Sequence, residues 1–208
     1  MCIRDSAYVY QDEVQAKLVS ELNAHLKVPV HQNGMEFSLL NRFPQASLRM
    51  HEVFVQEVRA DSLPADTLLY AEDLYIEFSL LALLRGDYTV SELHGESVRL
   101  GVGFDTKGTE NWVIWRTDST AGDQQDFNLR KVTFEGLSAE HHDHRTGLAI
   151  DATSDRLELR GRFSGSGNEL SMNGDLHLRE WRDRKAVRLA DRKAEVKLRM
   201  ACLSLIHI

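Results

Sequence analysis

Apolar residues recur at every second position over long stretches of this chain. Val98, Leu100, Val102 and Phe104 alternate with small or polar residues, as do Leu157, Leu159 and Phe163, then Leu170, Met172, Leu176 and Leu178. Successive side chains of a strand point to opposite faces, so this pattern demands a sheet with one apolar and one wetter face. A further run places Leu68, Tyr70, Leu74, Ile76 and Phe78 on one face, broken by Glu72, and Leu69, Ala71, Asp73, Tyr75 and Glu77 on the other. Turn segments with suitable chemistry lie between the strands: Asp105 to Gly108, Asp143 to Gly147 and Ser164 to Asn168, where glycine supplies positive backbone angles. Only 3 prolines interrupt 208 residues, and no linker or low-complexity segment marks a boundary, so the strands read as one antiparallel meander. Between Leu48 and Val58 the apolar positions step from Leu48 and Met50 to Val53 and Val55, an odd step. Either a bulge near His51 and Glu52 absorbs it or Met50 points outward.

Two segments read as helix. From Tyr8 to Leu26, Val14, Leu18, Val19, Leu22 and Leu26 recur at spacings of three and four among charged residues, and Pro29 ends the run. A short second helix is expected over Ser79 to Arg85, stopped by Gly86. The expected fold class is therefore mainly β (α+β): an N-terminal amphipathic helix followed by a long antiparallel meander sheet.

The ends read differently from the rest. Met1 to Ser6 is what the mosaic end of a sequencing-library transposase encodes, and Leu203 to Ile208 is what its reverse complement encodes. Residues 1–6 and 203–208 are therefore expected to be adapter-derived and neutral to folding, leaving 7–202 as one β domain. Cys2 falls in the first of these segments and Cys202 abuts the second, so no disulfide or cysteine-rich metal framework is implied. A net charge of −7 gives no global attraction to nucleic acid. No apolar run reaches the length of a membrane span.

Several segments, in order, resemble the N-terminal region of the AsmA family. They are Leu22 to Leu26, Glu36 to Leu40, Arg42 to Leu48, Asp66 to Glu72, Phe78 to Tyr88, and the stretch ending at Gly108, Asn111 and Trp112. Weaker likeness continues through Phe127 to Leu129, Leu159 to Ser164, and Gly174 with Asp175. The resemblance implies a periplasmic protein of the Gram-negative envelope, held to the inner membrane by a helix preceding Ala7. It further implies an open, taco-like β groove lined with apolar residues, as in the similar TamB and chorein-type proteins. Phospholipid acyl chains are then the expected partner, other envelope proteins further ones, with a role in lipid transport or outer-membrane assembly. A sheet with one apolar face must cover it with protein or other apolar matter, and acyl chains gain about 0.8 kcal/mol per buried methylene. Leu74, Ile76, Phe78, Val98, Leu100, Val102 and Phe104 are the candidate lipid-facing residues. The alternative is an envelope scaffold or interaction module whose apolar face is an ordinary core.

The remaining constellations point to no enzyme, cofactor or metal. His141, His142, Asp143 and His144 carry metal-ligand chemistry, but strand alternation separates the first two, and a polar loop is the simpler reading. Arg179 to Arg199 contains nine Lys or Arg and four Asp or Glu. It reads as a solvated strand face, or as a surface for anionic headgroups, rather than a nucleic-acid patch, since only Trp181 supplies an aromatic. Ser164 to Gly167 lacks the strand-to-helix setting of a nucleophile elbow, and Gly101-Val102-Gly103 has no phosphate-binding helix behind it. Trp112 and Trp115 fit packing at a hairpin end, with a sugar-stacking platform as the alternative.

Overall fold

The computed structural model describes residues 23, 26–42, 45–61, 64–79, 90–114, 130–164 and 167–202. Both expected helices lie almost wholly outside these residues, as do 1–6 and 203–208; Ser79, at the start of the second, closes a strand instead. The described residues form nine strands in one sheet: β1 (Val30–His31), β2 (Met35–Arg42), β3 (Gln45–Gln56), β4 (Thr67–Ser79), β5 (Val90–Phe104), β6 (Lys131–Asp143), β7 (Leu148–Ser164), β8 (Gly167–Asp183) and β9 (Ala186–Cys202). β1 and β2 share one edge of β3, and from β3 to β9 the order in space follows the order in sequence. The fold is thus mainly β, as the alternation demands.

The meander is broken once. β5 and β6 run parallel, whereas every other pair is antiparallel. Asp105 to Gly108 is a turn that folds the chain back far enough for Glu110 to bridge Phe104 antiparallel, but it does not join two strands of the sheet. It leads into a longer connection, since parallel neighbours cannot be joined by a tight turn. The other two expected turns do join antiparallel neighbours: β6 to β7 across residues 144–147, and β7 to β8 across the two residues after Ser164.

Register carries apolar rows across the full sheet. Leu48, Ile76, Leu93, Val132, Leu159, Met172 and Leu198 are successive cross-strand partners, and Met50, Leu74, Gly95, Phe134, Leu157, Gly174 and Val196 form the next row. Beyond these rows lies a crease. Glu52, Ser97 and Gly136 have φ of 48°, 51° and 66° and stand at corresponding places on β3, β5 and β6. There the side-chain alternation skips a step, so Met50 and Val53, Leu74 and Ala71, and Gly95 and Val98 share a face. No residue is inserted, because Met50 pairs with Leu74 and Val53 with Ala71 in unbroken register. The odd step in β3 is therefore a left-handed residue matched by its neighbours, not a bulge, and Met50 is buried.

The same crease corrects the reading of β4. Its core face carries Leu69, Ala71, Leu74, Ile76 and Phe78, while Leu68 and Tyr70 join Asp73, Tyr75 and Glu77 on the other side. Leu48, Met50, Val53, Ala71, Leu74, Ile76, Phe78, Val98, Leu137 and Leu157 form one buried cluster. Gly95 is required at its centre, since a Cβ there would lie 2.7 Å from a Val98 methyl. Each fully buried large aliphatic or Phe side chain contributes roughly 1.5–3 kcal/mol, so this cluster dominates the stability of the sheet.

Candidate functional site

All seven lipid-facing candidates lie on the core face, but in two environments. Leu74, Ile76, Phe78 and Val98 belong to the buried cluster, and Leu100 packs against it. Val102 and Phe104 are half-buried near the end of β5. Phe104 meets Trp112 edge-on at 5.2 Å between ring centroids and His141 at 6.1 Å, with the Arg145 guanidinium 5.7 Å from its ring. From there the face continues through successive partners His141, Ile150, Trp181 and Leu189 to the last strand. Burial falls along it: Leu74 is 6% exposed, Trp181 and Leu198 each 42%.

The opposite face is polar and holds its charges in pairs. Asp73 is buried and accepts two hydrogen bonds of 3.0 Å from Arg49, with His51 Nδ1 2.6 Å from the oxygen that Arg49 Nε also meets. The Arg49 guanidinium outweighs burial and holds the Asp73 carboxyl below its ordinary range. Where β3 and β5 end, a polar knot closes the sheet. Glu57 accepts from Asn111 Nδ2 at 2.7 Å, from Arg59 at 2.9 Å and from the Asp66 amide at 3.0 Å. Burial pushes the Glu57 carboxyl up, but these donors bring it below its usual value. Arg59 also grips Asp61 through two bonds of 2.8 Å, which with Glu57 raises its already high pKa. Beside the knot lies a cleft of about 520 Å³ lined by Phe54, Tyr70, Arg99, Asn111 and His142 among others. Glu57 and Asn111 stand 54 residues apart, and no local pattern marked their contact.

The turn chemistry at this end explains the histidine-rich segment. Asp143 is buried, and its carboxylate accepts from the amides of Arg145 at 2.9 Å and Thr146 at 3.2 Å. It shapes the β6–β7 turn, while the His142 and His144 rings lie 6.2 Å apart. Among the described residues, donor atoms of His94, Glu96 and Glu135 converge within 4.8 Å of one another. Glu96 and Glu135 are direct partners across β5 and β6, and their oxygens with one imidazole form a set suited to zinc. Arg156 lies 2.8 Å from Glu135 and already offsets one of the two carboxylates.

The basic segment Arg179 to Arg199 is the end of β8, a two-residue turn and most of β9. It is an exposed strand face, with Arg188 paired to Asp183 at 3.2 Å and Lys197 to Glu195 at 2.7 Å. Gly101 and Gly103 lie within β5, and a Cβ on Gly103 would come within 2.0 Å of the His142 carbonyl oxygen. These glycines therefore allow close approach of backbones rather than cradle a phosphate. Comparison of the chain with protein-family models and with curated proteins gives no match.

Proposed function

We propose that this chain is a lipid-handling sheet of the bacterial envelope, AsmA-like, whose apolar face takes phospholipid acyl chains on its β7–β9 side. On this reading it works in the periplasm, tethered to the inner membrane, in lipid transport or outer-membrane assembly, without catalysis. The observation that carries the reading is the unbroken apolar row from Leu48 to Leu198, buried at its β3–β4 end and open to water at β9. Apolar surface presented in a continuous strip favours an apolar occupant, and a half-open strip allows that occupant to enter and leave.

A second reading, an envelope scaffold, is favoured by the burial of Leu74, Ile76, Phe78 and Val98 within the chain itself. Mass spectrometry of lipid extracted from the purified protein separates the two. The lipid reading expects bound phospholipid that is lost in Leu198→Asp and Met172→Asp while the circular dichroism spectrum persists. A folded protein that carries no lipid and takes none from vesicles leaves the scaffold reading in its place.

A further inference from the structure

One end of the sheet gathers three turn tips side by side. The turn at residues 105–108, the β6–β7 turn at 144–147 and the β8–β9 turn at 184–185 are linked by backbone bonds. The His144 amide donates to the Phe104 carbonyl at 3.0 Å and the Arg184 amide to that of Gly147 at 2.7 Å. Across residues 104–108, 143–148 and 181–188 there are six Lys or Arg against three Asp, in a chain whose net charge is −7.

Two of the three acids of this rim are turned inward onto backbone amides, and the third is held in an ion pair. Asp105 and Asp143 are buried, and their carboxylates accept backbone amides: those of Ala60, Lys107 and Thr109 for Asp105, and those of Arg145 and Thr146 for Asp143. Asp183 pairs with Arg188. Lys107, Arg145, Arg184 and Lys185 are exposed at the tips; Lys107 Nζ donates to the Ala60 carbonyl at 2.6 Å, Arg145 lies 3.4 Å from Asp143 and Arg182 pairs with Glu180, whereas among the described residues Arg184 and Lys185 form no ion pair. Exposed apolar groups flank them: Trp112 and Val113 beside the first turn, Trp181 and Val187 on the β8–β9 hairpin. Exposed carboxylates nearby are Asp66, Glu110 and Glu140.

We propose that this rim docks on the surface of an anionic phospholipid bilayer. The cationic tips would sit among the headgroups, and Trp112 and Trp181 at the interface. Cations alone would serve any polyanion. Exposed tryptophans and valines on the same rim favour a surface that is anionic outside and apolar just beneath. The inference goes beyond acyl-chain binding and does not depend on it.

The test is sedimentation of the whole chain with vesicles of phosphatidylcholine alone and with added phosphatidylglycerol, at low and raised salt. The expected result is binding to the anionic vesicles only, weakened by salt, with a blue shift of tryptophan emission. Lys185→Gln and Lys107→Gln should each lower the partition roughly fivefold. Trp181→Ala should lower vesicle binding but leave heparin binding unchanged. Lys185 and Lys107 lie in exposed turns, so the Gln variants should keep the fold, checked by circular dichroism. Lys193→Gln, on β9 away from the tips, serves as the control. No sedimentation, equal binding to neutral vesicles, or an equal loss in the Lys193 variant would overturn the rim. Vesicle binding without an emission shift, matched by heparin and indifferent to Trp181→Ala, would replace the bilayer with a soluble polyanion. Co-purified lipid without vesicle binding sinks the rim and spares the acyl-chain reading; vesicle binding by lipid-free protein does the reverse.

Discussion

In the row that crosses the sheet from Leu48 to Leu198, Ile76 is 7% exposed and Leu198 42%, although both are aliphatic, both are strand residues and both occupy the same face. The contrast separates two things that alternation merges. Period two tells which face of a strand is apolar, because it reports only the direction of each side chain. Whether that face is dry depends on what lies over it, which is decided by residues distant in the chain. Among the described residues the β3–β5 side of this face is buried, and the β8–β9 side of the same face is exposed.

Substitution by a charge should break this comparison most sharply. Ile76→Asp places a carboxylate among Leu48, Leu74 and Leu93 and should cost on the order of 4 kcal/mol or prevent folding, whereas Leu198→Asp should change urea stability by about 0.5 kcal/mol or less. Equal costs would mean that both sides are closed, and a tolerated Ile76→Asp would mean that both are open. A smaller effect is expected from Gly174→Ala. Its Cβ would lie 2.4 Å from the Arg156 carbonyl oxygen and 3.0 Å from the Leu157 Cα. Backbone cannot step aside as a side chain does, so the loss should be roughly 1–3 kcal/mol by denaturant unfolding. A neutral result would show the β7–β8 backbones to be loosely joined, sharpening the difference between the two sides.

The crease offers a third measurement. At Gly136 an added Cβ meets only ordinary contacts of 3.7 Å with Ser97, so Gly136→Ala tests the positive φ alone and should cost about 1 kcal/mol. Ser97→Gly relieves the same strain and loses it partly to the freer unfolded chain, so a change within about 0.5 kcal/mol is expected. If Gly136→Ala is neutral, the crease is not held by backbone geometry.

Acid should produce the mildest effect, and produce it on both sides together. Burial pushes the carboxyls of Asp105 and Asp143 up, but hydrogen bonds from turn residues outweigh it and hold both below their ordinary value of 3.8. Because the folded values are depressed, their contribution to stability is fully present above 3.8 and is lost as pH falls below it through the folded values. Amide resonances of Lys107, Thr109, Arg145 and Thr146, followed by NMR, should stay unchanged from neutral pH to the carboxylate range and then move in step. Movement nearer neutrality would show that these carboxylates do not hold the turns.

Much of this was legible in the chain itself, and the misses have physical causes. Alternation identified β3, β4, β5, β7 and β8 because apolar residues recur there at every second position, whereas β1, β2 and β6 gave no such run. The odd step from Met50 to Val53 announced the crease in β3, but in β4 the apolar Leu68 and Tyr70 disguised the same switch at Glu72. The parallel pairing of β5 and β6 was hidden because Asp105 to Gly108 has the residues of a hairpin turn, and turn chemistry is local while strand partnership is not. The candidates Leu74, Ile76, Phe78, Val98, Leu100, Val102 and Phe104 share a face of the sheet, yet nothing in their spacing told that the first four would be buried. The Glu57–Asn111 contact and the basic rim depend on segments brought together only by the finished sheet.

The parallel junction bears on how quickly the sheet assembles. Short connections separate β6 from β7 and β8 from β9, whereas residues 105–130 lie between β5 and β6 in the chain. Closing a longer loop loses more chain entropy before any ladder forms, and non-local pairings slow folding. The seam should therefore form late, as a docking of two preassembled portions. In pulse-labelled hydrogen exchange, amides of β7 and β8 should gain protection before those linking β5 to β6, and simultaneous protection would indicate a single nucleus spanning the seam.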